Sequence, residues 1–369
     1  MHRAIKYRIY PTAAQAVLFA KTFGCCRKVY NLMLADKIRS YKDTRHFGKQ
    51  TPAMYKTDYP YLKEVDSLAL ANVQLHLQQA LKNCFDSKHC KFPVFKSAKH
   101  SRRSYTTNNQ NGTVAVSDNT IKLPKAGFVK AVIHRKPDIS WKIKSATVSQ
   151  DSDGKYYASV LFEYDNPITP CSMNTAIGFD YKSDGLYMDS NGNTGSCRKY
   201  YRESCKKLAR EQRKLSRKQG SRKGESKSRN FLKQHRRVAS IHKHIACQRL
   251  DHLHKLSAEI ANQYDVVCVE SLNMRAMSNK GFGNGKATMD NGYGMFLNML
   301  GYKLADRGKY LVRVDKWFPS SQICSCCGNI QKLSLADRIY KCSCGYTVDR
   351  DINAARNILE EGLRILKAA

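Results

Sequence analysis

The sequence predicts a multidomain α+β protein, and three observations carry that reading. A chain of 369 residues has room for two or three domains at roughly 150 residues each. Its hydrophobic patterning changes along the chain, from helical spacing over 11–95 to short alternating segments over 96–170, then to apolar strands parted by long helices. Hydrophobic residues make up 42% of the chain, enough for real cores, so it is not a disordered basic tail.

Residues 3–10, RAIKYRIY, alternate loosely and read as a strand. Pro11 and Thr12 then open a helical region with Phe19, Phe23, Val29, Leu32 and Leu34 on its apolar face. A second helix, from about Ser67, carries Leu70, Val73, Leu77, Leu81 and Cys84 at helical spacing. Strand-like segments follow at 113–116, 120–123, 129–134, 144–149 and 156–163, parted by Asn111-Gly112, Pro124 and Asp153-Gly154. Five or six strands at this spacing predict a small barrel or sandwich. Strand 3–10 can belong to it, with the helical unit 11–95 inserted.

Residues 166–173 read as a linker. Beyond it come strands at 176–181 and 186–189, then a helix with Tyr201, Cys205, Leu208, Gln212 and Leu215 in step. A loop at 219–230 leads to a helix with Val238, Ile241, Ile245, Leu253, Leu256 and Ile260, and the two make an αα-hairpin. The remainder reads as a strand at 265–270, a polar glycine-rich loop at 278–294 and a helix near 293–307. A strand near 310–315, a cysteine cluster and a final helix over 351–367 complete the chain.

The charge narrows the partners. Lys plus Arg number 64 and Asp plus Glu 30, a net +34. So much like charge calls for a polyanion, nucleic acid before an anionic membrane. No run of 18 apolar residues exists to span a bilayer, and the first residues lack a secretory cleavage pattern. Between 198 and 249 there are 19 Lys plus Arg against Glu203, Glu211 and Glu225. The signs are not mixed, so ion pairs along the helix do not account for the run and phosphate contact does. Lys206, Arg210, Arg213, Lys214 and Arg217 are the residues singled out. A second basic stretch holds Lys88, Lys91, Lys96, Lys99, Arg102 and Arg103. Phe92, Phe95 and Tyr105 are interleaved with it, either stacking on bases or belonging to the adjoining core.

Fourteen cysteines in a chain of this kind are thiols and metal ligands before they are disulfides. Cys324 and Cys327 form a C-x-x-C knuckle, and Cys342 and Cys344 follow after a loop. Four thiolates so spaced can surround one zinc, and a four-thiolate site is closed, hence structural. Gly328 and Gly345 suit the turns after the knuckles. Cys326 is a fifth thiol, and the second pair is C-x-C, one residue short of the usual spacing.

Three acids sit where strand or helix ends can aim them at one point. Asp180 ends the apolar run AIGF, Glu270 ends VVCV, and Asp351 opens the final helix. A carboxylate after a buried apolar run is costly unless ligated, and three such acids can hold two Mg²⁺ for phosphodiester hydrolysis. Singly, each has another reading: Asp351 as an N-cap, Asp180 as the start of a turn, Glu270 as the partner of a cation.

The C-terminal motifs resemble those of a known family. Ser320-Ser-Gln-Ile-Cys-Ser-Cys-Cys-Gly328, Cys342-Ser-Cys-Gly345 and Val348-Asp-Arg-Asp-Ile-Asn-Ala-Ala-Arg-Asn-Ile358 resemble the end of the TnpB proteins, transposon-encoded RNA-guided nucleases related to compact type V CRISPR effectors. Tyr7-Arg-Ile-Tyr-Pro-Thr12, Phe92-Pro-Val-Phe-Lys96, Ile177-Gly-Phe-Asp180, Val269-Glu-Ser-Leu-Asn273 and Leu300-Gly-Tyr-Lys-Leu-Ala-Asp-Arg-Gly308 extend the likeness over most of the chain. The sequence departs from the family pattern at Tyr181-Lys182, where a small or apolar residue and Gly are usual.

The resemblance implies a RuvC/RNase H-like α/β nuclease domain with an inserted zinc ribbon, preceded by a wedge β-barrel with an inserted helical recognition unit. On this sequence those fall at 1–10 and 96–170 for the wedge and 11–95 for the recognition unit. The nuclease domain takes 171–316 and 349–369, with the basic hairpin at 198–261, and the ribbon takes 317–348. The family's metal-binding acids fall on Asp180, Glu270 and, in D-R-D, Asp351, with Asp349 as the other choice. Guide RNA and target double-stranded DNA are the implied partners, two Mg²⁺ and one zinc the implied ions, and the prokaryotic cytoplasm the implied place. Pairing would read the target while the protein reads a short flanking motif; Gln74 or Gln78 can pair bidentately with adenine there. The alternatives are a silent RNA-guided repressor, an RNA-independent transposase using the same acids, and a plain zinc-ribbon RNA binder.

Overall fold

The computed structural model describes residues 1–86, 90–165, 167–222, 224–279, 281, 285–334 and 337–368. Lys88 lies outside the described residues. The chain divides into two compact units, Met1–Asn166 and Pro167–Ala369.

The first unit opens with β1 (His2–Tyr10), whose alternation buries Ile5, Tyr7 and Ile9. A capping box starts α1 (Ala13–Thr44): the Gln15 N–H donates to Thr12 Oγ1 at 3.3 Å, and the Thr12 N–H donates to Gln15 Oε1 at 3.0 Å. A short helix, α2 (Tyr55–Asp58), and a 3₁₀ turn at Pro60–Lys63 lead to α3 (Ser67–Asp86). Phe19, Phe23, Val29 and Leu34 of α1 and Leu70, Val73, Leu77 and Leu81 of α3 are buried together, while Leu32 and Cys84 stay half-buried.

Six strands follow: β2 (Arg103–Asn108), β3 (Ala115–Val116), β4 (Thr120–Leu123), β5 (Gly127–Val132), β6 (Lys142–Gln150) and β7 (Tyr156–Glu163). With β1 they form one antiparallel sheet in the order β2-β6-β7-β1-β5-β4-β3. β1 pairs with both β7 and β5, so α1 to α3 are inserted between strands of one sheet. The polar composition of β2, RSYTTN, hid it from the hydrophobic pattern; only Tyr105 and Thr107 face inward. Tyr105 is therefore core, whereas Phe92 and Phe95 are exposed.

The second unit is built on a four-stranded sheet, β11-β10-β8-β9. β8 (Ala176–Tyr181), β10 (Val266–Glu270) and β11 (Tyr310–Val314) are parallel, and β9 (Tyr187–Asp189) is antiparallel to β8. The basic hairpin is α4 (Tyr200–Ser216) and α5 (Arg229–Gln263). After β10 come α6 (Met274–Met277), α7 (Gly285–Asn291) and α8 (Tyr293–Ala305). The stretch read as a loop thus holds a helical turn, α7, whose Thr288, Asp290 and Asn291 are buried. Asp290 accepts from the Tyr201 and Arg202 N–H groups at the start of α4 and from Arg249 at 2.8 Å, polar ties that no apolar period reveals.

A hairpin, β12 (Ile339–Lys341) and β13 (Thr347–Asp349), precedes α9 (Arg350–Ala368). β10 is buried on both faces, as a central parallel strand must be. Ile177, Phe179, Val267 and Val269 pack with α5 and α8, while Val266, Cys268, Val312 and Val314 pack with Ile358 and Leu359 of α9. The alternation along each strand thus makes a three-layer α/β/α arrangement.

Candidate active site and zinc centre

Val269 of β10 lies beside Phe179 of β8 in parallel register. The next residues, Glu270 as the last of β10 and Asp180 as the last but one of β8, therefore lie at the same carboxyl-terminal edge of the sheet, where open α/β sheets place their ligands. The first turn of α9 brings Asp351 to that edge. The three carboxylates line one cavity of about 350 Å³, together with Arg350, Lys316 and Trp317.

Two glycines set how closely α9 lies on the sheet. A Cβ on Gly178 would stand 2.2 Å from the Ala355 carbonyl oxygen, and one on Gly362 would stand 2.4 Å from Cys268 Sγ. Ala354 and Ala355 of the D-x-N-A-A motif are likewise buried against the sheet. Small residues at these contacts let the helix backbone approach, and with it Asp351.

The electrostatics of the cavity are those of crowded like charge. Burial, then the Asp351 and Glu270 carboxylates, push Asp180 up to about 8; burial also raises Glu270. Among the described residues neither Asp180 nor Glu270 has an ion-pair partner, and Asp351 has one, Lys182, at 3.5 Å. Lys182 stands at the point where the sequence departs from the family pattern. Tyr293, wholly buried, has a hydroxyl without a hydrogen-bond partner among the described residues, and Asp180 and then Glu270 add to the burial that raises it. An all-oxygen donor set of three carboxylates with one ion-paired lysine suits a hard divalent cation.

Asp349 and Asp351 divide their work. Asp349 Oδ1 accepts from the Asp351 and Ile352 N–H groups at 2.8 and 3.4 Å, so Asp349 caps α9. The N-cap reading of Asp351 is thereby corrected: the helix starts one residue before it, and its carboxylate is free to face the cavity.

The four cysteines converge: the sulfurs of Cys324, Cys327, Cys342 and Cys344 all lie within 4.8 Å of one another. Cys324–Cys344 and Cys327–Cys342 are 3.8 and 3.5 Å apart. A tetrahedral zinc with Zn–S near 2.3 Å requires sulfurs about 3.8 Å apart, so the residues fit that ion. The Cys344 backbone N–H is the main cause that lowers Cys342, while hydrogen bonds among the sulfurs raise Cys327. Cys326 is exposed and outside the cluster. The short C-x-C spacing is accommodated by Gly345 at φ 88°, in the left-handed region.

The buried Asn353 and Asn357 tie this cluster to α9. Asn353 accepts from the Ser325 N–H and donates to the Ile323 carbonyl at 2.7 Å, and Asn357 donates to the Ser320 and Ile323 carbonyls. Their i, i+4 spacing on α9 was the signal that could have found them.

Lys206, Arg210, Arg213, Lys214 and Arg217 are all exposed on or just beyond α4. Two of the five take an acid partner on their own helix. Glu211, held down to about 2 by hydrogen bonds from Gln234 and then Lys214, pairs with Lys214 at 2.9 Å and Arg210 at 3.5 Å. Among the described residues Lys206, Arg213 and Arg217 have no ion-pair partner.

In the first unit, Lys96 and Arg102 line a cleft of about 230 Å³ with Arg27, Asn72 and His76. Burial lowers Lys96, whose ammonium lies 3.7 Å from the Tyr30 ring centroid. Gln74 and Gln78 stand outside that cleft, and Arg103 donates to Gln150 instead.

Comparison with known proteins places the chain. Family models match residues 1–46 ("Helix-turn-helix domain"), 159–280 ("Probable transposase") and 293–358 ("Cas12f1-like, TNB domain"). A Streptomyces pristinaespiralis protein named "Putative RNA-guided DNA endonuclease" is 36% identical, over 98% of this chain and 89% of its own. The chain belongs to the TnpB family. InsQ of Escherichia coli (strain K12), named in the same way, is 29% identical over 99% of this chain and 93% of its own. TnpB-like protein L79 of Acanthamoeba polyphaga mimivirus is 33% identical over 37% of this chain and 27% of its own. A cryo-EM structure of Cas12f1 with sgRNA and target DNA shares this TnpB chain's fold, with a TM-score of 0.61 at 13% identity, covering 97% and 98% of the two chains.

Proposed function

We propose that this TnpB chain is an RNA-guided DNA endonuclease. It takes a guide RNA derived from its transposon, recognises a short flanking DNA motif and hydrolyses the target phosphodiester. The observation that carries the reading is the meeting of Asp180, Glu270 and Asp351 in one cavity at the strand ends. The relatives' names and the Cas12f1 fold support it. The second unit is its RuvC-like nuclease with the four-cysteine zinc ribbon, and the sheet of the first unit is its wedge, carrying the inserted helical recognition unit.

Two Mg²⁺ held by the three carboxylates would activate the attacking water and stabilise the leaving oxygen. The chain's own residues do the rest. Gly178 and Gly362 hold α9 close, Asp349 caps the helix so that Asp351 faces the cavity, and Lys182 balances part of the acid charge beside the entering phosphate. Lys206, Arg213 and Arg217 offer free cations to RNA or heteroduplex phosphates. Gln74 or Gln78 of α3 meets the flanking DNA motif, and the cleft of Lys96, Arg102, Asn72 and His76 offers the same unit a second polar surface for it. The zinc ribbon is structural. The reaction takes place where the target DNA lies, in the prokaryotic cytoplasm, and no described helix is long and apolar enough to cross a membrane.

Two experiments test this. Asp180→Ala abolishes cutting and spares RNA and DNA binding; a wild-type cutting rate in that variant overturns the triad. Sequencing of RNA that co-purifies with the chain, expressed with its native downstream DNA, finds one species with a fixed scaffold and a 3′ end beyond the element. A smear of ribosomal and messenger fragments overturns the guide.

A further inference from the structure

We propose that Trp317 is a stacking post for an unpaired nucleobase of the DNA strand delivered to the carboxylates. The inference rests on the nuclease reading above and adds to it a base-binding residue at the cavity.

Trp317 lines the same cavity as Asp180, Glu270 and Asp351, yet it is 79% exposed. The chain has two tryptophans. The other, Trp141, stacks on Tyr164 at 4.7 Å and packs against Phe162. Among the described residues Trp317 makes no aromatic pair. It is nevertheless held in place: its N–H donates to Asp315 Oδ1 at 2.8 Å, and the Phe318 N–H donates to the Asp315 carbonyl at 3.1 Å. The neighbouring Phe318 is half-buried in the core under α9. The loop therefore presents the indole to solvent from an anchored backbone. The Lys316 ammonium lies 4.6 Å from the indole centroid, which puts a cation for a phosphate beside a flat apolar surface for a base.

That pairing of cation and exposed ring is what sequence-tolerant single-strand binding uses, since every base has a π-face. A nuclease whose sequence choice is made by pairing needs such a tolerant grip at the cut. A duplex hides its base faces between neighbouring pairs, so the ring can engage only an unpaired base. Trp317 is a binding residue in this account; the chemistry stays with the carboxylates.

The test uses the full-length chain with Trp141→Phe, which leaves Trp317 as its single tryptophan. Binding of a single-stranded DNA of about twelve nucleotides, within the usual site size, is followed by anisotropy of a label on the DNA. Tryptophan fluorescence is followed in the same Mg²⁺-free titration. An abasic strand of equal length and charge is the control. The expected result is saturable quenching by the base-bearing strand and little by the abasic one. Equal quenching by both, binding without quenching, or no binding overturns the proposal.

In cleavage of a guide-matched target, Trp317→Ala lowers kcat/KM about tenfold, chiefly through KM, the weight of one stacked base. Trp317→Phe recovers most of it, whereas a merely structural role would show as lost thermal stability without recovery by Phe. Failure of the two readings is distinguishable. If Asp180→Ala still cuts, the nuclease assignment falls whatever the fluorescence does. If cutting needs Asp180 while Trp317 is not quenched, only the stacking post falls.

Discussion

Replacing Gly178 by Ala tests whether the closeness of α9 to the sheet is what places Asp351. The new Cβ would stand 2.2 Å from the Ala355 carbonyl oxygen, 2.8 Å from Leu359 Cβ and 2.9 Å from the Leu359 nitrogen. Ordinary contact begins near 3.4 Å, so helix and strand must part by about 1.2 Å, and two of the three obstacles are backbone atoms that cannot rotate away. Overpacking of this kind costs about 1–3 kcal/mol, which for a unit of this size lowers Tm by roughly 2–12 °C. Asp351 lies one helical turn before Ala355 and moves with it. A displacement of about 1 Å at a catalytic group costs on the order of a hundredfold in rate. The assay is single-turnover cutting of a guide-matched target, with thermal unfolding alongside. Gly24→Ala is the control, since a Cβ there meets nothing within 4 Å. Cutting by Gly178→Ala at the wild-type rate would refute the reasoning.

Three further outcomes are expected. Gly362→Ala, whose Cβ would meet Cys268 Sγ at 2.4 Å and Cys268 Cβ at 2.6 Å, loses about 1–3 kcal/mol in urea melts; unchanged stability would contradict the close approach. Asp180→Asn changes the pH dependence of stability in Mg²⁺-free buffer. The wild-type carboxyl, raised to about 8, keeps in the fold a proton that the unfolded chain loses near pH 4, so wild-type stability falls as pH rises between those values. Asparagine has nothing to ionise, so the variant gains on the wild type with rising pH, by about 1–3 kcal/mol at pH 8; parallel pH curves would count against it. Cys344→Ser loses the bound zinc while Cys326→Ser keeps it, read by metal analysis of the purified variants.

Local pattern carried much of this protein's description. The four apolar residues before Asp180 and before Glu270, the helical rhythm of α5 and α9 and the two cysteine pairs are all short-range signals, because burial repeats with the period of the element that causes it. The sequence by itself therefore determined which residues form β8, β10 and α9, and that acids end or begin them. It did not determine what those ends meet. That Asp349 caps α9 while Asp351 faces the cavity depends on where the helix begins. That Lys182 reaches Asp351, that Gln234 of α5 donates to Glu211 of α4, and that Asp290 holds Arg249 beneath the start of α4 depend on elements far apart in the chain. β2 was hidden for a related reason: a polar strand is specified by its neighbour β6 and not by its own hydrophobicity. Only the tertiary structure decided these contacts, since a polar side chain carries no period and finds its partner only after the apolar faces have packed.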